Sequence, residues 1–501
     1  MIDNQLYYGD NLDVLRNHIA EESVDLCYID PPFNSKRNYN QIYNNIGTED
    51  RAQSQAFVDT WEWDNVAEQG LQELLTNSRK LYTYQTVTLM EGLQKVLKKG
   101  SLLAYLVSMA LRIAEIYRVL KPTGSFYLHC DPTASHYLKL VLDSIFCPGG
   151  GDFKNEIIWH KNSGSIGRSA YSKRHDTLLF YTKSKDYHYD GKAIGELREQ
   201  NKGTFGGYFG TDEDGREYRE VRKAGKIYKY YMDEPRNPED VWDVPQIPER
   251  DKTERTGYAT QKPEKLLERI LLASSKKSDT VLDAYCGCGT TIAVAQRFCR
   301  KWIGIDITYA SISVILERLE KTCGEKILDE IKLGGIPKDV ESARALAHKK
   351  DDRTRKEFEK WAILTYSNNR AYINEKKGKD KGIDGIAKIL VSTDESKEVL
   401  FSVKSGHVSS AQIRDLRGVI EREDAAIGIF ITLEPPTKDM LQEAKAAGIY
   451  HNSLINSEIE RIQIVSIERI IKGERMTLPM VQDVLKKAQP QAQNNQLQIT
   501  E

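Results

Sequence analysis

An aspartate followed by two prolines and an aromatic residue, Asp30-Pro31-Pro32-Phe33, stands directly after the apolar run VDLCYI. Successive prolines fix the backbone and remove two donors, so the loop's carbonyls are left facing outward beside a carboxylate. That pairing can accept both hydrogens of an exocyclic amine. Such an amine on adenine or cytosine is a poor nucleophile because its lone pair is delocalised into the ring, and two acceptors favour pyramidalisation and localise the pair. Phe33 supplies a face for stacking a base. The competing reading is an ordinary Asp-Pro-Pro turn after a strand.

A second group reads Asp283-x-Tyr285-x-Gly287-x-Gly289-Thr290 after the run TVL. Glycines at alternate positions let the backbone approach a cofactor before a helix begins. Asp306 ends the run KWIGID 17 residues beyond Gly289, close to the roughly 20-residue offset of a ribose-binding carboxylate. A nicotinamide or flavin site is the first alternative, but the pattern is not GxGxxG. Cys286 and Cys288 lack a second Cys or His pair at zinc-ligand spacing. Thr260-Gln261-Lys262-Pro263 opens a helical pattern, and a helix start attracts carboxylates.

Strands and helices must hold these groups. LYYGD, VDLCYID, SFYLHCD, NEIIWHK and TLLFYTK read as strands, with LLAYLVSMALRIAEIYRVLK a helix stopped at Pro122 and Gly124. TVLDAYCG and KWIGIDI are two more strands, joined by a helix from near Thr290, after the helix QKPEKLLERILLAS. From about residue 186 to 255 the chain is Gly-, Tyr- and charge-rich with little periodicity, which predicts a loop-rich insert. At roughly 150 residues per domain, 501 residues predict about three domains. They are read as 1–336 with the insert, a linker at 337–352, an αβ domain at 353–475 and a Gln-rich disordered tail at 476–501.

Together these motifs resemble the β-class amino-methyltransferases of DNA, in which the amine-binding motif precedes the cofactor motif. The likeness covers about residues 5 to 325. YYGDNLDVL resembles the strand whose Asp10 faces the adenine ring of S-adenosylmethionine, and DPPF the catalytic loop. GSFYLHCDPTASHYLK, NEIIWHK with HDTLLFYTK, GYATQKPEKLLERI, DAYCGCGTT and WIGIDI follow in family order. The resemblance implies an α/β, Rossmann-like, seven-stranded sheet with strands in permuted order. It implies cofactor contacts from Asp10, Lys262, Pro263, Asp283, Tyr285, Gly287, Gly289, Thr290 and Asp306, with Lys262 at the methionine end. Tyr285 stands where Phe is commoner. DPPF fits the N6-adenine subgroup better than the N4-cytosine one, so the expected product is N6-methyladenine in double-stranded DNA, made by flipping the base.

DKGIDGIAKI, VLFSVKSGHV, AAIGIFITL and PTKDMLQEAKAAG, within about residues 353 to 472, resemble the Mrr-type branch of restriction-endonuclease-like domains. Asp384 and Lys404 match positions that hold a divalent metal such as Mg²⁺ and polarise water, with Glu357 or Glu359 as a further ligand. Ser402 fills the slot of Glu, Asp or Gln and is a poorer ligand. The resemblance therefore leaves open a bifunctional restriction-modification enzyme and a DNA-binding or assembly module.

Lys plus Arg total 72 against 73 Asp plus Glu, so any DNA contact must come from local patches. Lys161, Arg168, Lys173 and Arg174 form one candidate; Arg219, Arg222, Lys223, Lys226 and Lys229, interleaved with Tyr218, Tyr228 and Tyr230, form another. No run reaches the roughly 18 apolar residues of a membrane span, and MIDNQLYYGD is no secretory signal. Seven Cys, an odd number, argue against a disulfide framework and for a reducing cytoplasm. A homodimer, a separate restriction endonuclease, an RNA substrate and a non-enzymatic DNA-binding regulator are further alternatives.

Overall fold

The computed structural model describes residues 4–32, 37–42, 53–59, 61, 63–161, 171–197, 208–248, 250–251, 253–256, 258, 260–337, 339–348, 352–367, 371–374, 382–390, 396–452 and 457–478. The chain divides into two compact units. One comprises residues 1–38, 58–307 and 314–334, the other residues 39–57, 308–313 and 335–501.

The first unit is built on a sheet of β1 (Asn4–Tyr8), β2 (Val24–Ile29), β3 (Leu120–Cys130), β4 (Asp152–His160), β5 (His175–Thr182), β6 (Val241–Asp243), β7 (Thr280–Asp283), β8 (Lys301–Asp306) and β9 (Ile331–Gly334). Their order is β6-β4-β5-β3-β2-β7-β8-β1-β9. Seven strands thus form the sheet that the motifs imply, and short β6 and β9 extend its two edges. Only β5 is reversed, antiparallel to β3 and β4, while the other pairings are parallel. Buried on both faces, the central strands are near-continuous apolar runs rather than alternating ones: β7 is buried at all four residues, and β8 at its central four.

Helix α1 (Asn11–His18) follows β1, and α2 (Ser101–Val119) precedes β3. Helix α2 is apolar almost all round and correspondingly buried. Its buried Glu115 is tolerable because three arginines reach it: Arg16 and Arg79 at 3.2 Å and Arg118 at 2.7 Å. Pro122 and Gly124, expected to separate helix from strand, lie within β3, opposite a register shift between Val24 and Leu26. Helices α3 (Glu264–Ser274) and α4 (Thr290–Arg297) flank β7 in sequence.

Within the insert the expected loop-rich segment holds a three-stranded antiparallel sheet of Tyr208–Thr211, Glu217–Lys223 and Lys226–Tyr231. Lys223 pairs with Lys226 across a two-residue turn, Ala224-Gly225, whose φ values of +50° and +77° suit the tight hairpin. Both faces are partly exposed, so the strands lack the apolar alternation that reveals a half-buried strand.

The second unit carries a five-stranded sheet, in the order Tyr372–Ile373, Gly385–Leu390, Ser396–Lys404, Ile427–Thr432, Ile462–Ser466. Its core includes Leu400, Ile413, Leu416, Phe430 and Met440. Within the linker, where the sequence suggests a helical or flexible connector, Val340–Ala347 is a helix, started by a capping box of Asp339 and Ser342. The disordered tail expected from 476 is corrected at its first residues: Met476 and Leu478 are buried, and the Met476 N–H donates to Tyr366 O at 2.8 Å. Residues 479–501 lie outside the described ones. No described helix is long and apolar enough to cross a membrane.

Candidate active site

Asp30 follows the last residue of β2, and Asp283 ends β7. These strands are parallel neighbours, with Val281 opposite Leu26 and Leu282 opposite Cys27. The two motifs, remote in sequence, therefore open at the same carboxyl end of the sheet, where α/β folds place their ligands.

The Lys262 ammonium, from the loop before α3, is ion-paired with Asp30 Oδ2. Asp30 Oδ1 lies 3.9 Å from His129 Nδ1. His129, fully buried, has Tyr28 Oη at 2.9 Å from Nδ1 and Asp176 Oδ2 at 3.2 Å from Nε2. Burial alone would raise the Asp176 pKa, but the His129 hydrogen bond and the charges of His129 and Lys161 outweigh it and hold the carboxyl well below the usual range. Pro31 is buried beside this group, while Pro32 is partly buried. Phe33 lies outside the described residues.

The glycine turn is fixed from several sides. Gly287 donates its N–H to Asp306 Oδ2 at 2.9 Å, and Tyr285 donates its N–H to Asp283 Oδ1 at 3.0 Å. Gly289 has φ +73°, and a Cβ there would lie 2.6 Å from Ile315 Cγ1, so only glycine fits. Thr290 begins α4; its hydroxyl is 3.4 Å from the Arg318 guanidinium, which also pairs with Glu264 at the start of α3. Pro263 is the residue that caps α3. Burial pushes the Asp283 carboxyl up to about 7; hydrogen bonds from Thr291 and Tyr285 oppose this, and the charges of Asp30 and Asp306 reinforce it.

Asp10 caps α1 through Leu12 N–H at 2.8 Å and is gripped by Arg112 at 2.9 and 3.1 Å. Its neighbour Asn11 donates to Ala284 O at 2.8 Å, tying α1 to the turn after β7. Tyr285 sits against Met109, with its hydroxyl 3.7 Å from the sulfur. Arg112, Asn11, Asp176 and Arg318 are not identified from the sequence. Asn11 follows Asp10 in a helix start, but the partners of the other three depend on strand register and helix rotation.

Of the first proposed DNA patch, Lys161 is committed elsewhere, its ammonium 2.6 Å from Asp176 Oδ1. Lys173 is exposed and Arg174 half-buried; Arg168 lies outside the described residues. In the second unit Asp384 Oδ2 accepts the Val403 N–H at 2.7 Å and lies 3.6 Å from the Lys404 ammonium. Ser402 is buried on the same strand as Lys404. Burial, with the Asp384 charge adding, pushes Glu359 up to about 7. Glu357 instead meets Lys360 at 2.9 Å and the Tyr309 N–H at 3.4 Å. Among the described residues no three His, Cys, Asp or Glu side chains gather as a metal site.

A seven-strand mixed sheet with one reversed strand, bearing a DPP loop and a glycine turn on adjacent strand ends, is the architecture of an α/β methyltransferase. The chain belongs to the DNA methylase family, which it matches over residues 24–317. Residues 355–472 match a second family, described as NACHT-associated inactive Restriction Endonuclease 1. Among curated proteins the chain is 28% identical over 317 residues to the DNA adenine methyltransferase YhdJ of Escherichia coli K12, covering 63% of this chain and 82% of that protein. It is 29% identical over 209 residues to the type II methyltransferase M.HpaI of Haemophilus parainfluenzae, covering 42% of this chain and 57% of that one. Among solved structures, M1.HpyAVI in complex with SAM has 17% identity and a TM-score of 0.32, covering 63% of this chain and 98% of that one.

Proposed function

We propose that the protein transfers a methyl group from S-adenosyl-L-methionine to the N6 amine of adenine in duplex DNA. The observation that carries this reading is the adjacency of Asp30 and Asp283 at the ends of paired parallel strands. The residues present fit the donor. Gly289 leaves no room for a side chain at the turn, and Asp283, raised by burial beside two other carboxylates, is relieved by a cation such as a sulfonium. When bound, S-adenosyl-L-methionine supplies an electrophilic methyl on that sulfonium. Asp306 takes the ribose, Asp10 with Tyr285 lines the adenine end, and Gly287, Thr290 and Pro263 shape the turn and helix start around it. Asp30 and the Pro31 carbonyl hold the target amine's hydrogens, and Phe33 stacks on the flipped base. Lys262 holds the Asp30 carboxylate in place through their ion pair.

DNA contacts are assigned to one face of the insert's hairpin. Arg219 stands opposite both Phe209 and Tyr230, and Lys223 opposite Lys226, so aromatic and basic side chains share that face. The test incubates the full chain with S-adenosyl-L-methionine and mixed-sequence duplex DNA, then reads the modified base and its context by modification-sensitive sequencing. N6-methyladenine at a fixed context is expected. N4-methylcytosine would reassign the base, and unmodified DNA would overturn the reading.

The second unit acts as a DNA-binding or assembly module that has kept a nuclease scaffold without cleavage. Ser402 in the acid's slot and the engagement of Asp384 with Val403 and Lys404 support this over a bifunctional enzyme. Supercoiled unmethylated plasmid should stay intact after long incubation with Mg²⁺; nicking that Lys404→Ala removes would favour the nuclease.

A further inference from the structure

Methyl transfer to an amine leaves a proton to be disposed of. As the nitrogen bonds to the methyl carbon and the carbon–sulfur bond breaks with its electron pair on sulfur, the nitrogen holds one proton more than the product needs.

Behind Asp30 stands His129, on β3, with no exposure to solvent. The groups facing it come from every neighbouring element. From β2 and its loop come Tyr28, 2.9 Å from Nδ1, and Asp30, 3.9 Å from Nδ1. Asp176 on β5 lies 3.2 Å from Nε2, and Trp159 on β4 meets the ring edge-on at 5.6 Å. Two ammonium groups stand behind these carboxylates: Lys161 pairs with Asp176, and Lys262 with Asp30.

This arrangement dictates the tautomer. Ionised Asp176 only accepts, so Nε2 carries the hydrogen and Nδ1 of the neutral ring is an acceptor for the Tyr28 hydroxyl. Burial, with the Asp30 charge adding, holds the Tyr28 phenol well above its usual pKa, so it remains a hydroxyl. A proton arriving at Nδ1 turns that nitrogen into a donor, and the carboxylate nearest to it is Asp30.

We propose that His129, oriented by Asp176, is a positioning residue that acts through Asp30 and carries away the proton lost by the methylated amine. The inference rests on the methyl-transfer reading. The nitrogen gives its proton to Asp30 Oδ1, and Oδ1 passes it to His129 Nδ1 after closing the 3.9 Å gap. Asp30 is again a carboxylate, and the imidazolium is stabilised by the Asp176 carboxylate, the buried acid-on-imidazole logic of hydrolytic triads. When product leaves, the proton returns through Asp30, whose side chain is 17% exposed, to water.

The test is single-turnover methyl transfer by the full chain on mixed-sequence duplex DNA from about pH 5 to about pH 9. Saturating S-adenosyl-L-methionine keeps the titration of Asp283 out of the measured rate. Wild-type transfer should slow at low pH. His129→Gln should slow transfer about 100-fold and flatten the pH profile, with donor affinity unchanged. Asp176→Asn, which keeps the shape of the site, should give a comparable loss even where His129→Gln folds poorly. Wild-type rates and an unchanged pH profile in both variants would overturn the relay while leaving methyl transfer intact. No transfer by the wild type would overturn the functional reading itself.

Discussion

Each unit sets an aspartate at a strand terminus and lays a lysine ammonium against it, and the two pairs have different surroundings. Lys262 and Asp30 come from elements far apart in sequence, and behind them His129 and Asp176 extend the polar network into the core. Lys404 and Asp384 come from paired strands, and the Val403 amide shares the same Asp384 oxygen. Beside them on the same strand as Lys404 lies the buried Ser402. An aspartate and a lysine make a site only when the groups around them add something the reaction uses. Around Asp30 that is a glycine turn and a buried imidazole; around Asp384 it is a hydrogen bond from the backbone and the half-buried Glu359 carboxyl.

The sharpest way to break this comparison is to remove each acid in turn. Asp30→Ala should lower methyl transfer at least about 100-fold with donor binding retained, whereas Asp384→Ala should leave transfer unchanged. Equal losses would erase the distinction. A pair of glycines gives the next largest contrast. Gly289→Ala adds a 2.6 Å clash with Ile315 to a left-handed φ, so it should cost about 3 kcal/mol in denaturant unfolding and weaken donor binding. Gly448→Ala, also left-handed at φ +88° but with open space around its Cβ, should cost about 1 kcal/mol.

Asp283 and Glu359 supply a third contrast, one in which the units should agree. Both are pushed up to about 7, chiefly by burial. Between about pH 4 and about pH 7 the unfolded chain has released protons that these folded carboxyls keep, so stability falls as pH rises through that window. Thermal midpoints at about pH 5 and about pH 8 should therefore differ less in Asp283→Asn and in Glu359→Gln than in the wild type. An undiminished difference in either variant would mean that carboxyl ionises normally. The smallest effect is expected on the hairpin: Lys223→Gln and Lys226→Gln should each reduce the slope of log affinity against log salt by about one, evenly across DNA sequences.

Residues at strand ends were the most legible part of the site. Asp30, Asp283 and Asp306 each follow a short apolar run, and that pattern alone puts a carboxylate at the sheet's opening. The central strands were legible for the same reason, being buried on both faces. Arg112 was not, because it lies in an apolar helix whose rotation decides that it meets Asp10. Asp176 was not, because only the reversed pairing of β5 with β3 brings it to His129. Lys262 stands out in the sequence at a helix start, but its pairing with Asp30 does not, because that depends on a side chain's reach rather than on spacing. The hairpin in the insert escaped because its strands expose both faces.

The pairing of β2 with β7 also has a consequence for biosynthesis. The strand bearing Asp30 cannot gain its partner until Thr280–Asp283 has been made, about 250 residues later. At roughly 5–20 residues per second, the DPP loop exists for about 12–50 s beside a strand with one edge unpaired on that side. Ribosome-bound chains halted after β3 but before the glycine turn has left the exit tunnel should therefore have no capacity to retain the methyl donor, a capacity that appears only once that turn has emerged.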